Sequence, residues 1–530
     1  MDPDNGVLVQ AVWIQDRTGF GPDLLWLVIH HLAVDAVSWR ILLGDLALAW
    51  TQGAHGNQPH FSPVTTSFRR WVHGLADQAP DLRASELDRW KDVLGRDDQL
   101  LGSRRLIPDR DTVATAGRIS ERIPAAVTEA VLTTIPERFH CSANDPLMAA
   151  LVLALGEWRR RRGMASTGES ILLEGHGREE QAVPGADLSA TAGWFTSRFP
   201  VRIDWDDIDL DDALTGGAGA GLAIQQVKEQ LRAVPGNGIG YQVLRYLDPQ
   251  GRAELANLTE PQISFNYLGR VGLGERSGPW TPTTEFTSLT ATTDPAMALP
   301  AVLDVNAIAE AGHDGLELAV TWEFASGVLG AEEVEELAGL WVRALESLAD
   351  HVRSRTASSF TPSDFPLTAV SQPDVDRWLR EYPSMTDVWP LTDLQSGLLF
   401  HTIYDREGAD GYIVQAALTF AGRWTGTGCG ARRRCSSTGT TACGPRSSPV
   451  RTVRVRSSCA TPRSIGPTPT SAATTGRRKR CGRWRPRQRR RSIRRAHRWC
   501  VSIWCAPAST GTGCWSPTTT WCWTAGRCPC

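Results

Sequence analysis

The apolar positions along the chain fall into runs with distinct periods. Leu24–Ile29 is an uninterrupted apolar run, the pattern of a strand buried on both faces, and it leads straight into His30-His31. Ser85–Leu94 predicts a helix with Ser85 as N-cap and Asp88 at the capping-box position. Asp145-Pro146 opens another: Asp caps, Pro takes the first turn, and Leu147–Leu155 is apolar before the basic run Arg159–Arg162. Ile171–Leu173 predicts a short strand ending in Glu174-Gly175-His176-Gly177. Leu316, Leu318, Val320 and Trp322 alternate with polar or small residues. With Ala301–Val305 across the Gly312–Gly315 turn they predict an antiparallel hairpin. Glu332–Asp350 sets Val334, Leu337, Trp341, Leu345 and Leu348 on one stripe of an amphipathic helix. Strands and helices interleave and some pairs are antiparallel, so the expected class is mixed α/β (α+β).

Beyond residue 355 the pattern weakens. Residues 356–388 are rich in Ser, Thr and Pro and read as a linker carrying one short helix. A new apolar-patterned unit begins at Trp389 and runs through Pro390–His401.

Charge changes the picture more than periodicity does. The whole chain of 530 residues carries a formal net charge of −2. Residues 421–530 hold 22 Arg, 1 Lys, 11 of the 12 Cys and 7 of the 21 Trp, with no Asp, Glu or Leu. The first 420 residues therefore carry 33 basic and 58 acidic side chains, a net of −25. That acidity argues against nucleic acid as a partner. Cys141, the one cysteine before residue 421, excludes a disulfide framework there and fits a reducing cytoplasm. No run reaches the roughly 18 apolar residues of a membrane helix, and Met1-Asp2-Pro3-Asp4 lacks the regions of a signal peptide.

Three readings of residues 421–530 compete. A zinc or disulfide domain lacks paired CxxC or HxxxH spacing. A basic nucleic-acid arm, suggested by the Arg-dense stretch Arg477–Arg498, does not account for seven Trp and scattered Cys. GC-rich coding sequence read in the wrong frame accounts for abundant Arg, Cys, Trp, Thr, Pro and Ser beside an absence of Leu. Shifting the codons of Cys514–Cys530 by one base permits Leu-Val-Thr-Asn-His-His-Leu-Val-Leu-Asp-Gly. The same shift over Thr438–Ser447 permits Asp-Arg-His-x-Gly-Leu-Arg-x-x-Phe. The frameshift reading is preferred, and no function is assigned to the tail's Cys or Arg.

Several short strings could carry chemistry. In His30-His31-Leu32-Ala33-Val34-Asp35, a histidine beside a strand end is a natural general base. Asp35 would orient a ring or hold the loop. A structural His pair is the bland alternative, and a metal site lacks a clear third ligand. Glu174, set between close-packing glycines at a strand end, could exchange a proton if burial raises its pKa. The bland alternative there is a Glu–Arg surface pair on a turn. Ala192–Pro200, with Trp194, reads as a strand entry with aromatic packing. Pro235–Tyr241 is a glycine-rich turn without the Lys-Ser/Thr of a phosphate loop. Ser264–Gly269 has strand character, with a polar pair, Asn266 and Tyr267, where alternation would allow one inward group; that pair could hydrogen-bond a developing oxyanion, and core packing with a satisfied hydroxyl is the bland alternative.

In order and spacing these strings resemble the epimerization domains of non-ribosomal peptide synthetases. The resemblance covers residues 7–365 and rests on six motifs: His30-His31…Asp35…Ser38-Trp39, Asp145…Leu147…Ala150, Glu174–Glu179, Thr191–Pro200, Pro235–Tyr241 and Phe265–Gly269. The glutamate motif and Phe-Asn-Tyr-Leu-Gly distinguish it from the related condensation domains, which share the His-His motif. Pro390–His401 resembles the opening motif of a condensation domain, and both shifted tail strings resemble that domain's next motifs. Two departures stand out: Ala36 and Gln242 occupy positions where the family usually has Gly.

The resemblance implies a chloramphenicol-acetyltransferase-like two-lobed fold whose N-terminal lobe is incomplete here. It also implies a division into residues 1–110 (partial N-terminal lobe), 111–355 (C-terminal lobe), 356–388 (linker), 389–420 (start of a condensation domain) and 421–530 (frameshifted tail). The implied activity is L-to-D epimerization at Cα of an aminoacyl or peptidyl thioester. That substrate would ride on the phosphopantetheine of a peptidyl carrier domain, among other synthetase modules, with no intrinsic cofactor and no metal. His31 and Glu174 would be the acid/base pair, with Tyr267 near the enolate and His30, Asp35, Asn266 and Trp194 in support. A peptide-bond-forming condensation domain and an inactive docking fragment are the alternatives.

Overall fold

The computed structural model describes residues 1–17, 23–96, 98–205, 207–271, 293–312, 314–354 and 359–404, with five further backbone strands between 416 and 523. The chain separates into two compact units, Met1–Ser359 and Phe360–Cys530.

The first unit opens with β1 (Val9–Ile14) and β2 (Leu24–Ile29), an antiparallel ribbon. Contrary to the expectation of a strand buried on both faces, Trp26 is 43% exposed. A two-stranded ribbon has too few neighbours to cover its apolar side chains. Helix α1 (Ala36–Ala54) follows and meets the ribbon through Trp13 and Trp50, stacked at 5.9 Å. Next come α2 (Phe68–Asp77) and α3 (Ala79–Leu94). The start expected at Ser85 is corrected: α3 begins two turns earlier, with Pro80 in its first turn, and Ser85 lies inside it, donating back to the Asp81 carbonyl at 2.8 Å. Serine can satisfy itself this way within a helix, so a serine alone is not a cap.

The body of the unit is a six-stranded mixed sheet. Its strands are β3 (Ala116–Ile123), β4 (Gly168–Gly175), β5 (Ser197–Asp204), β6 (Ile263–Val271), β7 (Leu303–Ala311) and β8 (Leu316–Ala325), in spatial order β3-β8-β7-β6-β4-β5. The central pairs β4–β6 and β6–β7 are parallel and the others antiparallel. The expected hairpin is β7–β8. The strand expected at Ile171–Leu173 extends back to Gly168 because cross-strand pairing with β5 holds all eight residues.

Three helices pack on the sheet: α4 (Asn144–Arg161), α5 (Ala218–Arg232) and α6 (Ala331–Ser354). Leu147–Leu155 is buried all round, which explains its lack of a polar stripe. The helix start differs slightly from expectation: Asp145 sits within the first turn and accepts the Ser142 N–H at 2.6 Å, so it caps backward across three residues. In α6 all five stripe residues are buried. Trp341 packs edge-on against Trp322 of β8 at 5.7 Å and donates its indole N–H to the Leu147 carbonyl at 3.2 Å.

Strand alternation gives the sheet two different faces. Leu303, Val305, Ala307 and Ala309 of β7, and Leu318, Val320, Trp322 and Phe324 of β8, turn to the helices and are buried. Asp304 and Asn306 of β7 turn to the other face, level with Ser264 and Asn266 of β6.

In the second unit, residues 360–388 depart from the expected linker. The short helix is present, as α7 (Gln372–Glu381), but Phe360, Phe365, Val375, Trp378, Met385 and Val388 bury one another in a small core. Spaced apolar residues among Ser, Thr and Pro suffice for a compact knot. Strand β9 (Met385–Pro390) and helix α8 (Asp393–Tyr404) follow.

Trp341 joins sheet to helices through both its ring and its indole N–H. Trp341→Ala is expected to cost about 3–5 kcal/mol, read as a lowered midpoint of urea unfolding of the first unit.

Candidate active site

The loop between β2 and α1 carries the histidines. His30 accepts the Leu32 N–H on Nδ1 at 3.1 Å, capping a single short turn over His31–Ala33. Its lone pair is thereby used in the backbone. His31 makes the opposite contact, with Nδ1 lying 2.7 Å from the Val34 carbonyl. A carbonyl oxygen only accepts, so Nδ1 carries the hydrogen, and in the neutral ring the lone pair sits on Nε2. The imidazole tilts against the half-exposed Trp194 ring, with centroids 5.8 Å apart.

Asp35 ends this loop and is the N-cap of α1. Its Oδ1 accepts the Ser38 N–H at 2.6 Å and the Ser38 hydroxyl at 2.7 Å. Arg178 Nη2 approaches the two carboxylate oxygens at 3.1 and 3.3 Å, and the Phe195 N–H adds a bond of 3.2 Å. Burial alone would push this carboxyl up. The Ser38 bonds, the Arg178 charge and the Phe195 N–H outweigh it and hold Asp35 below the usual carboxylate range.

Arg178 is the hub of the contact. Its Nη1 donates to the Leu188 carbonyl at 3.1 Å and the Thr191 carbonyl at 2.8 Å, and its guanidinium lies 4.0 Å over the Phe195 ring. The surface Glu–Arg pair considered from sequence is therefore absent: Arg178 leaves Glu174 alone and pairs with Asp35. The approach needs Gly177, whose φ is +63° and where a Cβ would stand 1.7 Å from the Phe195 carbonyl oxygen. The glycine-rich turn joins the same assembly through Asn237, which donates to Glu179 at 2.9 Å.

Glu174 lies near the end of β4, directly across from Arg198 of β5. Burial, then the negative charge of Asp304, push its carboxyl up, against the smaller opposing effects of Arg198 and His31. Among the described residues it accepts no hydrogen bond.

The other expected residues divide by alternation. Asn266 shares the face of Ser264 and Asp304. Tyr267 does not: it pairs with Ala307, packs against the main core and interacts with Arg270, which itself donates to the Leu132 carbonyl at 2.9 Å on the helix side. Adjacent strand residues point to opposite faces, so Tyr267 does not share the face of Asn266. Sequence reading missed Arg198 and Asp304. Their only sequence signal is a charged residue within a strand. Among the described residues no group of three or more His, Cys, Asp or Glu is placed to hold a metal, and no helix is long and apolar enough to cross a membrane.

The condensation domain profile matches residues 1–367. The chain belongs to the condensation-domain family of non-ribosomal peptide synthetases. This condensation-family chain is 36% identical over 424 residues to one of the linear gramicidin synthase proteins of Brevibacillus parabrevis, covering 78% of the chain and 5% of that protein. It is 35% identical over 409 residues to chondramide synthase cmdD of Chondromyces crocatus, covering 72% and 9%. The chain thus spans less than a tenth of either relative's length. Among solved structures, it is similar to the epimerization domain from the third module of tyrocidine synthetase B, with a TM-score of 0.53 and 29% identity, covering 66% of this chain and 74% of that one. The chloramphenicol-acetyltransferase-like fold expected from the motifs is the fold of this family.

Asp35 has a depressed folded-state pKa. Its contribution to stability is therefore present above the unfolded carboxylate value, about 4, and is lost as pH falls through the folded value. Arg178→Ala should cost about 3–5 kcal/mol by leaving Asp35 buried and unpaired. Asp35→Asn should flatten the acid side of the stability curve. Both are read from urea midpoints between pH 7 and pH 3.

Proposed function

We propose that residues 1–367 form an epimerase acting at Cα of an aminoacyl or peptidyl thioester delivered on the phosphopantetheine arm of a carrier domain. The observation that carries this reading is the His31 ring, whose Nδ1–H is held by the Val34 carbonyl and whose Nε2 lone pair is left for a substrate, in one unit with Glu174, a carboxyl that burial pushes up. His31 Nε2 takes the Cα proton. The C–H electron pair moves into the Cα–C bond, and the thioester carbonyl becomes an enolate oxygen. The Glu174 carboxylic acid returns a proton to the opposite face of Cα, the C=O re-forms, and the D-epimer results. The Asn266 amide N–H donates to the enolate oxygen. Asp35 and Arg178 hold the histidine loop, and Trp194 backs the imidazole.

Support comes from the glutamate motif, the Phe265–Gly269 string and the similarity to a solved epimerization domain. The competing reading, peptide-bond formation, needs the histidine but no second acid on the far side. Incubating a carrier-bound aminoacyl thioester with the protein in deuterated water discriminates between them. Deuterium should enter Cα with loss of stereochemical purity and no new amide. His31→Ala and Glu174→Gln should each slow exchange by about 10²–10⁴-fold. Wild-type rates in either variant, or peptide bond formation without D-product, would sink the assignment.

Residues 421–530 we read as out-of-frame coding sequence, on the strength of the missing Leu and the two hidden strings. Resequencing the DNA across codon 421 should restore an open frame encoding both strings; a confirmed unshifted frame refutes this.

A further inference from the structure

The backbone on either side of Trp194 is held in place. Gly193 and Phe195 are both buried. The Gly193 N–H donates to the Ser38 hydroxyl at 3.0 Å, and the Phe195 N–H donates to Asp35 at 3.2 Å. The Phe195 ring is packed edge-on against Phe68 at 5.0 Å and lies under the Arg178 guanidinium at 4.0 Å. A Cβ on Gly193 would stand 2.7 Å from the Phe68 ring, so the chain passes there without room to spare. Between these two anchors Trp194 turns the other way and is 45% exposed. An indole is on average well buried, yet here a fixed backbone holds one out. Its neighbour is His31, itself exposed, with ring centroids 5.8 Å apart. Leu32, on the same short turn as that histidine, is exposed as well.

We propose that Trp194 is a specificity-determining contact: its exposed ring receives the side chain on the substrate Cα, so the site favours apolar and aromatic aminoacyl groups. The inference rests on the epimerase reading of His31 and adds the class of substrate. Nδ1 of His31 is committed to the Val34 carbonyl, so the Cα proton is taken by Nε2. For that transfer Cα must come within about 3–3.5 Å of the nitrogen. An indole whose centre lies 5.8 Å from the imidazole centre then flanks the groups attached to that carbon. With the proton toward His31 and the thioester carbonyl toward Asn266, the chain nitrogen and the side chain share the remaining directions. An apolar side chain gains from the indole, because contact removes both surfaces from water. A peptide nitrogen does not, since its N–H would be left without an acceptor. A free α-ammonium is drawn to a ring face, but it is common to all aminoacyl substrates and makes no difference between side chains.

The test compares leucyl with asparaginyl groups, which match in size and differ in polarity, each loaded on a carrier domain and given to the full 530-residue chain. One readout is kcat/KM for deuterium exchange at Cα of the thioester. The other is the Kd of the same carriers with an amide in place of the thioester, whose Cα proton is too weakly acidic to exchange. The wild type should prefer leucyl by about tenfold in both, and Trp194→Ala should reduce the preference to about twofold or less. Trp194→Phe should keep most of it. A ring that only packs against the histidine would, when removed, slow both substrates alike and leave their ratio unchanged. An unchanged ratio in Trp194→Ala, or no preference for leucyl in the wild type, overturns the proposal; where exchange still proceeds, the epimerase reading stands. A preference in Kd that disappears in Trp194→Ala, with no exchange of either thioester by the wild type, upholds the contact and sinks the epimerase reading.

Discussion

The geometry of the candidate site depends on one buried ion pair. Asp35 and Arg178 are 143 positions apart in sequence, and each belongs to a loop with little secondary structure of its own. A loop of this kind has many backbone states, and fixing it costs entropy. The pair restricts both loops at once. Asp35 fixes the start of α1 and the end of the histidine turn; Arg178 fixes the exit of β4 and, through two carbonyls, the approach to β5. Isolated buried pairs often fail to offset their desolvation. Here the remaining lone pairs and N–H groups are nearly all engaged, so the pair's main product is position. His31 hangs from one side of this clamp and Glu174 from the other.

A second constraint divides labour within the sheet. Alternate residues of β6, β7 and β8 serve different masters. One set fills the core against α4 and α6, where Trp322 and Trp341 meet. The other set is polar and contributes Asn266, Asp304 and their neighbours. The polar face tolerates carboxyls because the opposite face supplies the hydrophobic stabilisation. Tyr267 belongs to the first set although its sequence neighbour belongs to the second.

Much of this was legible in the sequence. The stripe Val334–Leu348, the β7–β8 hairpin and the apolar run of α4 follow from periodicity and match the structure. His31, Glu174 and Asn266 were singled out as residues beside strand ends or at alternating positions. The failures have physical causes. Ser85 reads as a cap by composition, but a hydroxyl can turn back to its own helix. Leu24–Ile29 reads as a doubly buried strand, yet burial depends on neighbours that apolarity alone does not report. Tyr267 shows that a motif names residues without naming the face each one takes. Arg178 was visible as a charge, but its partner lay far along the chain, and long-range ion pairing leaves no local pattern. Arg198 became notable only once the pairing register put it across from Glu174, and Asp304 only once alternation put it on the face of Ser264 and Asn266.

The two-faced sheet has a consequence for how such a domain can diversify. Folding draws on one set of alternating positions and chemistry on the other, so the two can drift under nearly separate selection. A change at residue 266 or 198 alters the polar face while leaving the hydrophobic core of the protein intact. Gly177 is the exception. With no room for even a methyl group over the Phe195 carbonyl, it ties the inheritance of the catalytic loop to that of the fold, and lineages that lose it would have to rebuild both together.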